Sequence, residues 1–325
     1  MTSWNKTCRT LVGVLLASLA LSAGALAQEP SRKLIVFGDS LSDPGNFFAG
    51  TGDFATAPFA PVPAAPYAIG GHHFSNGRTW IEQLATSLHA PLSGRPAMLA
   101  PGVFTNYAFG RSRARWGAPA FSQFNLSTQV NLFYADFGGD APTDAIYVMW
   151  IGSNDVRDAL AALSVDPSGA TSGAIVEDAL VSIANNIIAL YGAGARTFLV
   201  LNTPNIAITP AVRALGAQNP AIPIVAEQLT IAFNNGLAQT LDGLGAMLRE
   251  IEFVRLDAFS VLNAIVADPG AAGLSDVTGS CLTFGVTGQA ICDQPNRYLF
   301  WDGAHPTRAG HAALASAAEQ VLSMF

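Results

Sequence analysis

The segment that decides the fold reads Leu34-Ile35-Val36-Phe37-Gly38-Asp39-Ser40. Its four apolar residues, two of them β-branched, end at a glycine, which is the pattern of a buried strand that runs into a loop. A serine directly after such a strand lies at the carboxyl edge of a sheet, where a tight turn exposes its hydroxyl and its backbone N–H. Taken alone, Gly-Asp-Ser is more often a plain turn or a helix cap.

The rest of the chain alternates between strand and helix patterns. Apolar runs at residues 145–151, 196–201 and 251–256 predict three further strands, and helical periodicity predicts helices over 173–191, 222–248 and 307–324. Asn76 is predicted to cap another helix, whose apolar face includes Trp80 and Leu84. This β-α-β-α order predicts an α/β fold with a parallel sheet between two layers of helices.

The first 27 residues have the pattern of a secretory signal peptide. A basic start at Lys6 and Arg9 precedes an apolar run from Leu11, which ends at Ala25-Leu26-Ala27. The prediction is therefore residues 1–27 as signal peptide and residues 28–325 as one domain of a secreted or periplasmic protein. The alternative is an uncleaved membrane anchor, because the apolar run is close to the shortest length that spans a bilayer.

Composition limits the partners. The formal net charge is −7, and an acidic surface repels phosphate backbones, so nucleic acid is not an expected partner. No other long charge-free apolar run is evident, so no stable membrane span is expected after signal cleavage. The protein is separately expected to be a monomer. Export leaves Cys281 and Cys292, which are predicted to form a disulfide; two free buried thiols are the alternative.

Three further segments carry chemistry that matches a reactive serine. In Asp302-Gly303-Ala304-His305 the acid lies three residues before a histidine, so it can hold one ring nitrogen while the other faces a nucleophile. The side-chain amide of Asn154 in Gly152-Ser153-Asn154-Asp155 can donate to a developing oxyanion. The segment Asn106-Tyr107-Ala108-Phe109-Gly110 ends at a glycine, where a backbone N–H can approach a ligand closely. Each segment alone also fits a cap, a turn or a bend.

Together, and in this order, the four segments resemble the GDSL or SGNH hydrolases, a family named for a serine, a glycine, an asparagine and a histidine. The extended first segment and Phe74-Ser75-Asn76-Gly77-Arg78-Thr79-Trp80 resemble its lipase-type branch, which includes secreted bacterial esterases and lecithinase-like enzymes. The resemblance implies a flavodoxin-like three-layer α/β/α sandwich with about five parallel strands.

The resemblance also assigns roles. It makes Ser40 the nucleophile, His305 the general base and Asp302 the residue that orients the imidazole. The oxyanion hole would consist of the N–H of Ser40, an N–H at Gly110 and the amide of Asn154. Relatives commonly have a second glycine at the position of Arg111, so either Gly110 or Arg111 supplies that N–H.

The implied function is a secreted serine esterase or lipase that hydrolyses carboxylic esters, with phospholipids as one substrate class, through an acyl-enzyme on Ser40. No metal or cofactor is implied, and His72-His73 lacks an acidic cluster that would complete a metal site. The alternatives are an acyltransferase or carbohydrate O-deacetylase with the same site, and a non-catalytic binding protein. An α/β-hydrolase is disfavoured because the chain has no Gly-x-Ser-x-Gly elbow.

Overall fold

The computed structural model describes residues 33–52, 72–117, 122–283 and 291–325. The predicted signal peptide lies outside these ranges. The main sheet has four parallel strands in the order β1-β2-β3-β4, namely β1 (Leu34–Gly38), β2 (Ile146–Trp150), β3 (Thr197–Leu201) and β4 (Glu252–Leu256). The predicted parallel sheet is confirmed, and its four strands match the four predicted apolar runs.

A fifth segment lies along the free edge of β1. The N–H of Val36 donates to Thr105 at 2.9 Å, and the N–H of Tyr107 donates to Val36 at 2.7 Å. These bonds form an isolated parallel bridge between Val36 and Asn106 rather than a full strand, so the described residues form four full strands where about five are predicted. The chain leaves β1 toward this edge and then crosses to β2 on the other side. The carboxyl end of β1 is thus a topological switch point, where α/β folds bind ligands.

Nine α-helices flank or follow the sheet in the described ranges. They are α1 (Asn46–Thr51), α2 (Trp80–Ser87), α3 (Leu126–Phe137), α4 (Ser153–Ala162), α5 (Ala170–Gly192), α6 (Pro210–Gly216), α7 (Ala221–Met247), α8 (Ala258–Ala267) and α9 (Arg308–Ser323). Helices α3, α5 and α7 pack on one face of the sheet, and α2, α8 and α9 pack on the other. The fold is therefore the three-layer α/β/α arrangement.

The strands are apolar on both sides because both faces are covered. In β1, Ile35 and Phe37 point into the core that includes α3, whereas Leu34 and Val36 point into the core that includes α2. All five residues of β1 and of β2 are buried. This double burial is the reason for the unbroken apolar runs in the sequence.

Two local predictions differ from the structure. The cap of α2 is Thr79 rather than Asn76, and Thr79 forms a capping box with Glu82. Asn76 instead accepts a hydrogen bond from the N–H of Arg308 at 2.6 Å. The sequence also predicts a loop over residues 270–295, but this region contains β5 (Asp276–Ser280), which pairs in parallel with β6 (Tyr298–Phe300).

Helix α5 is the only described helix with the length and hydropathy of a membrane span. Its buried residues face the core beside β2 and β3, and they include Ala179, Ile183, Ile187 and Leu190. This packing is that of a core helix in an α/β sandwich.

Candidate active site

Ser40 lies in a tight turn that begins where β1 ends. The carboxylate of Asp39 accepts the N–H of Leu41 at 3.0 Å, and the N–H of Ser42 donates to the carbonyl of Asp39 at 3.1 Å. Gly38 permits the turn, since a Cβ at this position would lie 2.7 Å from the carbonyl oxygen of Trp150. The Ser40 side chain is thereby held at the carboxyl edge of the sheet.

Two side chains tie this turn to other parts of the chain. The Gln129 amide accepts the N–H of Gly38 at 2.9 Å and donates to its carbonyl at 2.8 Å. The carboxylate of Asp43 accepts four backbone N–H groups, those of Gly45, Asn46, Phe47 and Gly110. Gln129 was not singled out from the sequence; a polar residue on the buried face of α3 was the only signal that it offered.

The acid and base come from one short segment after β6. The carboxylate of Asp302 accepts the N–H groups of Ala304 and His305, both at 2.8 Å, and its Oδ2 lies 2.7 Å from Nδ1 of His305. The N–H of Trp301 donates to the carbonyl of His305 at 2.7 Å, which closes the turn. Thr307 then caps α9 by accepting the N–H of Gly310.

The fold brings these two segments together. Nε2 of His305 lies 2.8 Å from Oγ of Ser40, although the residues are 265 positions apart. Burial alone raises the pKa of Asp302, but the interaction with His305 and the two backbone N–H groups outweigh it and hold the pKa below its usual value. Because an ionised Asp302 can only accept, Nδ1 carries the ring proton and Nε2 is left to accept the proton of Ser40.

Asn154 faces the same cleft from the first turn of α4. It lines this cleft with Ser40 and His305. Its Nδ2 donates to the carbonyl of Ser112 at 2.9 Å, and its Oδ1 accepts from Nη1 of Arg157 at 3.4 Å. These partners fix the orientation of the amide and leave its second N–H to donate into the cleft.

The position of Gly110 does not fit the first alternative of the sequence prediction, in which its backbone N–H binds the oxyanion. Its N–H donates to Oδ2 of Asp43 at 2.7 Å, so it is already engaged with a buried carboxylate and is not available to an oxyanion. The next residue, Arg111, has a φ of 65°, a left-handed conformation in which glycine is unstrained. The second alternative of the sequence prediction is the backbone N–H of this residue.

A buried ionic network supports the Asn154 side of the cleft. Arg113 forms a bidentate pair with Asp158, with contacts of 2.9 and 3.0 Å. Arg115 bridges Asp155 at 2.7 Å and Asp158 at 2.6 Å. The network joins residues 112–115 to α4, and so it positions the carbonyl of Ser112 that holds Asn154. The basic pattern at Arg113 and Arg115 was the only sequence signal for it.

Two more carboxyl groups lie beside Ser40. Burial raises the pKa of Asp39 to about 7, and within the described ranges Oδ2 of Asp39 has no hydrogen-bond partner. Burial also raises the pKa of Asp43 to about 6, against the opposing effect of the N–H groups that it accepts. Asp39 and Asp43 therefore take up protons at a pH at which ordinary aspartates are still ionised.

Cys281, Cys292 and His311 do not line this cleft. Cys281 and Cys292 are joined by a disulfide with a Cα–Cα distance of 4.9 Å, next to the aromatic residues Phe47, Phe74 and Trp301. Burial lowers the pKa of His311 to about 3. Within the described ranges, no group of three or more potential ligand side chains is arranged to hold a metal ion.

Comparisons with known proteins match the whole of this fold. A family model described as GDSL-like lipase/acylhydrolase matches residues 34–318. A GDSL esterase/lipase of Arabidopsis thaliana is 29% identical over 313 residues, which cover 87% of this chain and 86% of the relative. A GDSL lipase of Tanacetum cinerariifolium is 27% identical over 322 residues, which cover 91% of this chain and 86% of the relative.

A search of solved structures finds a catalytic mutant of an acetylxylan esterase from Geobacillus stearothermophilus. It aligns with a TM-score of 0.45 and 12% identity, covering 90% of this chain and 94% of that one.

Proposed function

Because the chain belongs to the GDSL-like lipase/acylhydrolase family and is a serine ester hydrolase, we propose that it is a secreted enzyme that hydrolyses carboxylic esters through an acyl-enzyme on Ser40. The observation that carries the proposal is the continuous hydrogen-bonded chain from Asp302 through His305 to Ser40, with contacts of 2.7 and 2.8 Å.

In the first half of the reaction, Oγ of Ser40 attacks the ester carbonyl while Nε2 of His305 takes its proton. Asp302 keeps Nδ1 protonated and stabilises the imidazolium that forms. His305 then donates the proton to the leaving alcohol, and the acyl group remains on Ser40. In the second half, His305 activates water, which hydrolyses the acyl-enzyme and restores the serine.

The oxyanion of each tetrahedral intermediate needs preorganised donors. The side-chain amide of Asn154 and the backbone N–H of Ser40 are two of them, and the N–H of Arg111 is the third. Since the bonds of Asn154 to Ser112 and Arg157 are already formed, its amide requires no reorganisation when charge develops. Such donors contribute most where water is excluded.

The proposal extends to the compartment and the substrate. Residues 1–27 would be removed as a signal peptide, residues 28–325 would form the hydrolase domain, and Cys281 and Cys292 would be oxidised after export. N-terminal sequencing of the exported protein should start at Gln28, and its intact mass should lack the two thiol hydrogens. Acyl esters are the proposed substrates, with phospholipids as one class among them.

The direct test is Ser40→Ala together with labelling by a fluorophosphonate probe. Wild type should hydrolyse p-nitrophenyl esters and be labelled once, at Ser40, whereas Ser40→Ala should fold, lose turnover and resist the probe. Ser87→Ala, which changes an exposed serine on α2, is the matched control and should behave as wild type. Undiminished turnover by Ser40→Ala would refute the proposal, and a folded wild type without turnover or labelling would indicate the non-catalytic alternative.

A second measurement separates hydrolysis from acyl transfer and defines the substrate. Products are analysed with and without an added alcohol acceptor, using esters from acetate to palmitate, acetylated carbohydrate and phosphatidylcholine. We expect free acid as the main product; an acylated acceptor as the main product would favour a transferase. Release only from acetylated sugar would favour the O-deacetylase.

A further inference from the structure

Arg157 lies in the cleft with the proposed catalytic groups. It follows Asn154 by three residues on α4, so the two side chains lie on the same face of that helix. The cleft is lined by Ser40, Asn154, Arg157 and His305 together with the apolar side chains of Ile206 and Val212. An ester bound in this cleft would therefore contact one guanidinium group and an apolar surface.

The ion pairing of Arg157 differs from that of the other two arginines near the cleft, Arg113 and Arg115. Arg113 and Arg115 are each paired with carboxylates at 3.0 Å or less. Arg157 has no carboxylate oxygen within 4.0 Å in the described part of the chain, and its one hydrogen bond is the 3.4 Å contact to Oδ1 of Asn154. Its side chain is exposed.

The nearest acidic groups do not neutralise Arg157 by contact. Asp302 is fully engaged with His305 and two backbone N–H groups. Asp158, which already pairs with Arg113 and Arg115, and Asp39 attract Arg157 only at longer range. A guanidinium carries five N–H groups in a planar fork, and in the part of the chain that the structure describes only the one that contacts Asn154 is hydrogen-bonded. Carboxylate and phosphate oxygens match that fork.

Resting on the proposed ester hydrolysis, we propose that Arg157 is a specificity-determining residue that binds an anionic group of the substrate, a carboxylate or a phosphate close to the scissile ester. The enzyme then prefers esters that carry a negative charge over neutral esters of the same size. The charge can belong to the acyl part or to the alcohol part of the ester, since Arg157 faces the cleft that holds both.

The test compares matched charged and neutral esters. On the alcohol side the set is 4-acetoxybenzoate, 4-acetoxyphenyl phosphate and the neutral 4-acetoxybenzamide. On the acyl side the pair is the 4-nitrophenyl monoester of adipic acid and the corresponding neutral adipamate. The enzymes are wild type, Arg157→Gln, Arg157→Lys and, as a control that removes a remote exposed charge, Arg249→Gln.

We expect wild type and Arg249→Gln to favour the charged member of at least one set in kcat/KM by about 10- to 100-fold, as expected for one charge-assisted hydrogen-bonded contact. Arg157→Gln should lose this preference and Arg157→Lys should keep part of it. The favoured set identifies the part of the substrate, and the kind of anion, that Arg157 binds.

Two outcomes would overturn the proposal. One is a wild type without preference in any set, or a preference that survives in Arg157→Gln. The other is an equal loss by Arg157→Gln on charged and neutral esters, which would mean that Arg157 only positions Asn154. Turnover of the neutral esters by wild type keeps these results separate from a failure of the proposed function, because that failure would remove turnover of every ester and this inference with it.

Discussion

The nucleophile turn and the acid–base segment meet at one cleft, but the side-chain contacts that position them differ in range. Besides its local bonds, the turn at Ser40 is tied to distant residues, since Gln129 clamps Gly38 across 91 positions and Asp43 reaches Gly110 across 67. The contacts of the Asp302 carboxylate, to the His305 ring and to two N–H groups, span at most three positions. The comparison indicates that the acid–base pair is a property of a short sequence, whereas the nucleophile depends on the packed fold.

The largest effect is expected when the acid–base segment alone is disrupted. His305→Ala should lower kcat by about 10⁶-fold, the scale seen when a triad histidine is removed, while the free energy of unfolding stays near that of wild type because the segment's backbone bonds remain. Ester turnover and urea unfolding measure the two quantities. His89→Asn is the control, since His89 is exposed and has a φ of 57°, which asparagine tolerates. Retention of more than a few per cent of turnover would show that His305 is not the base.

A smaller effect is expected when one donor to the oxyanion is removed. Asn154→Ala should lower kcat by about 10²- to 10³-fold with little change in KM, because the lost N–H acts on charge that develops only in the transition state. Steady-state kinetics on one p-nitrophenyl ester measure it. Asn185→Ala, at an exposed position of α5, is the control. A change confined to KM would contradict the assignment of Asn154 to the oxyanion.

The nucleophile turn should lose stability when its distant clamp is removed. Gln129→Leu leaves the buried N–H of Gly38 without its acceptor, and it should lower the free energy of unfolding by about 1–3 kcal/mol. Turnover should fall as well, because Ser40 follows Gly38 by two residues. Urea unfolding measures the first effect, with Gln320→Leu on the exposed face of α9 as the control. Unchanged stability would mean that the turn is held locally after all.

The last expected effect is a pH dependence specific to the nucleophile turn. Burial raises the pKa of Asp39 from 3.8 to about 7, so between these values the folded protein holds a proton that the unfolded chain has released. The free energy of unfolding should therefore fall as the pH rises from about 4 to about 7, by at most about 1.4 kcal/mol per pH unit from this group.

Asp39→Asn should flatten that decline, and urea unfolding between pH 4 and 8 measures it. Asp43 contributes in the same direction up to about pH 6, so the difference between wild type and Asp39→Asn should be clearest between pH 6 and 7. Asp140→Asn, at an exposed position, should leave the profile unchanged. An equally steep decline in Asp39→Asn would show that other groups cause it.

The same contrast explains what the sequence could predict. The strands β1 to β4 were predictable because burial on both faces leaves an unbroken apolar run, and the Asp302–His305 contact was predictable because it spans three residues. Gln129 and the pairing of Arg115 with Asp155 were not, because nothing in a linear sequence marks which distant partner a buried polar group will find. The hydrogen bond from the N–H of Gly110 to Asp43 was hidden for the same reason, since this acceptor lies 67 residues earlier.

The position of β6 in the chain has a consequence for how the enzyme becomes active. Ser40 follows the first strand and His305 follows the last, so the hydrogen bond between them cannot form until nearly the whole polypeptide has been synthesised and β6 has docked. Recovery of turnover after dilution from denaturant would thus report the completion of folding, and C-terminal truncation before β6 would leave a chain that retains its nucleophile without the means to activate it.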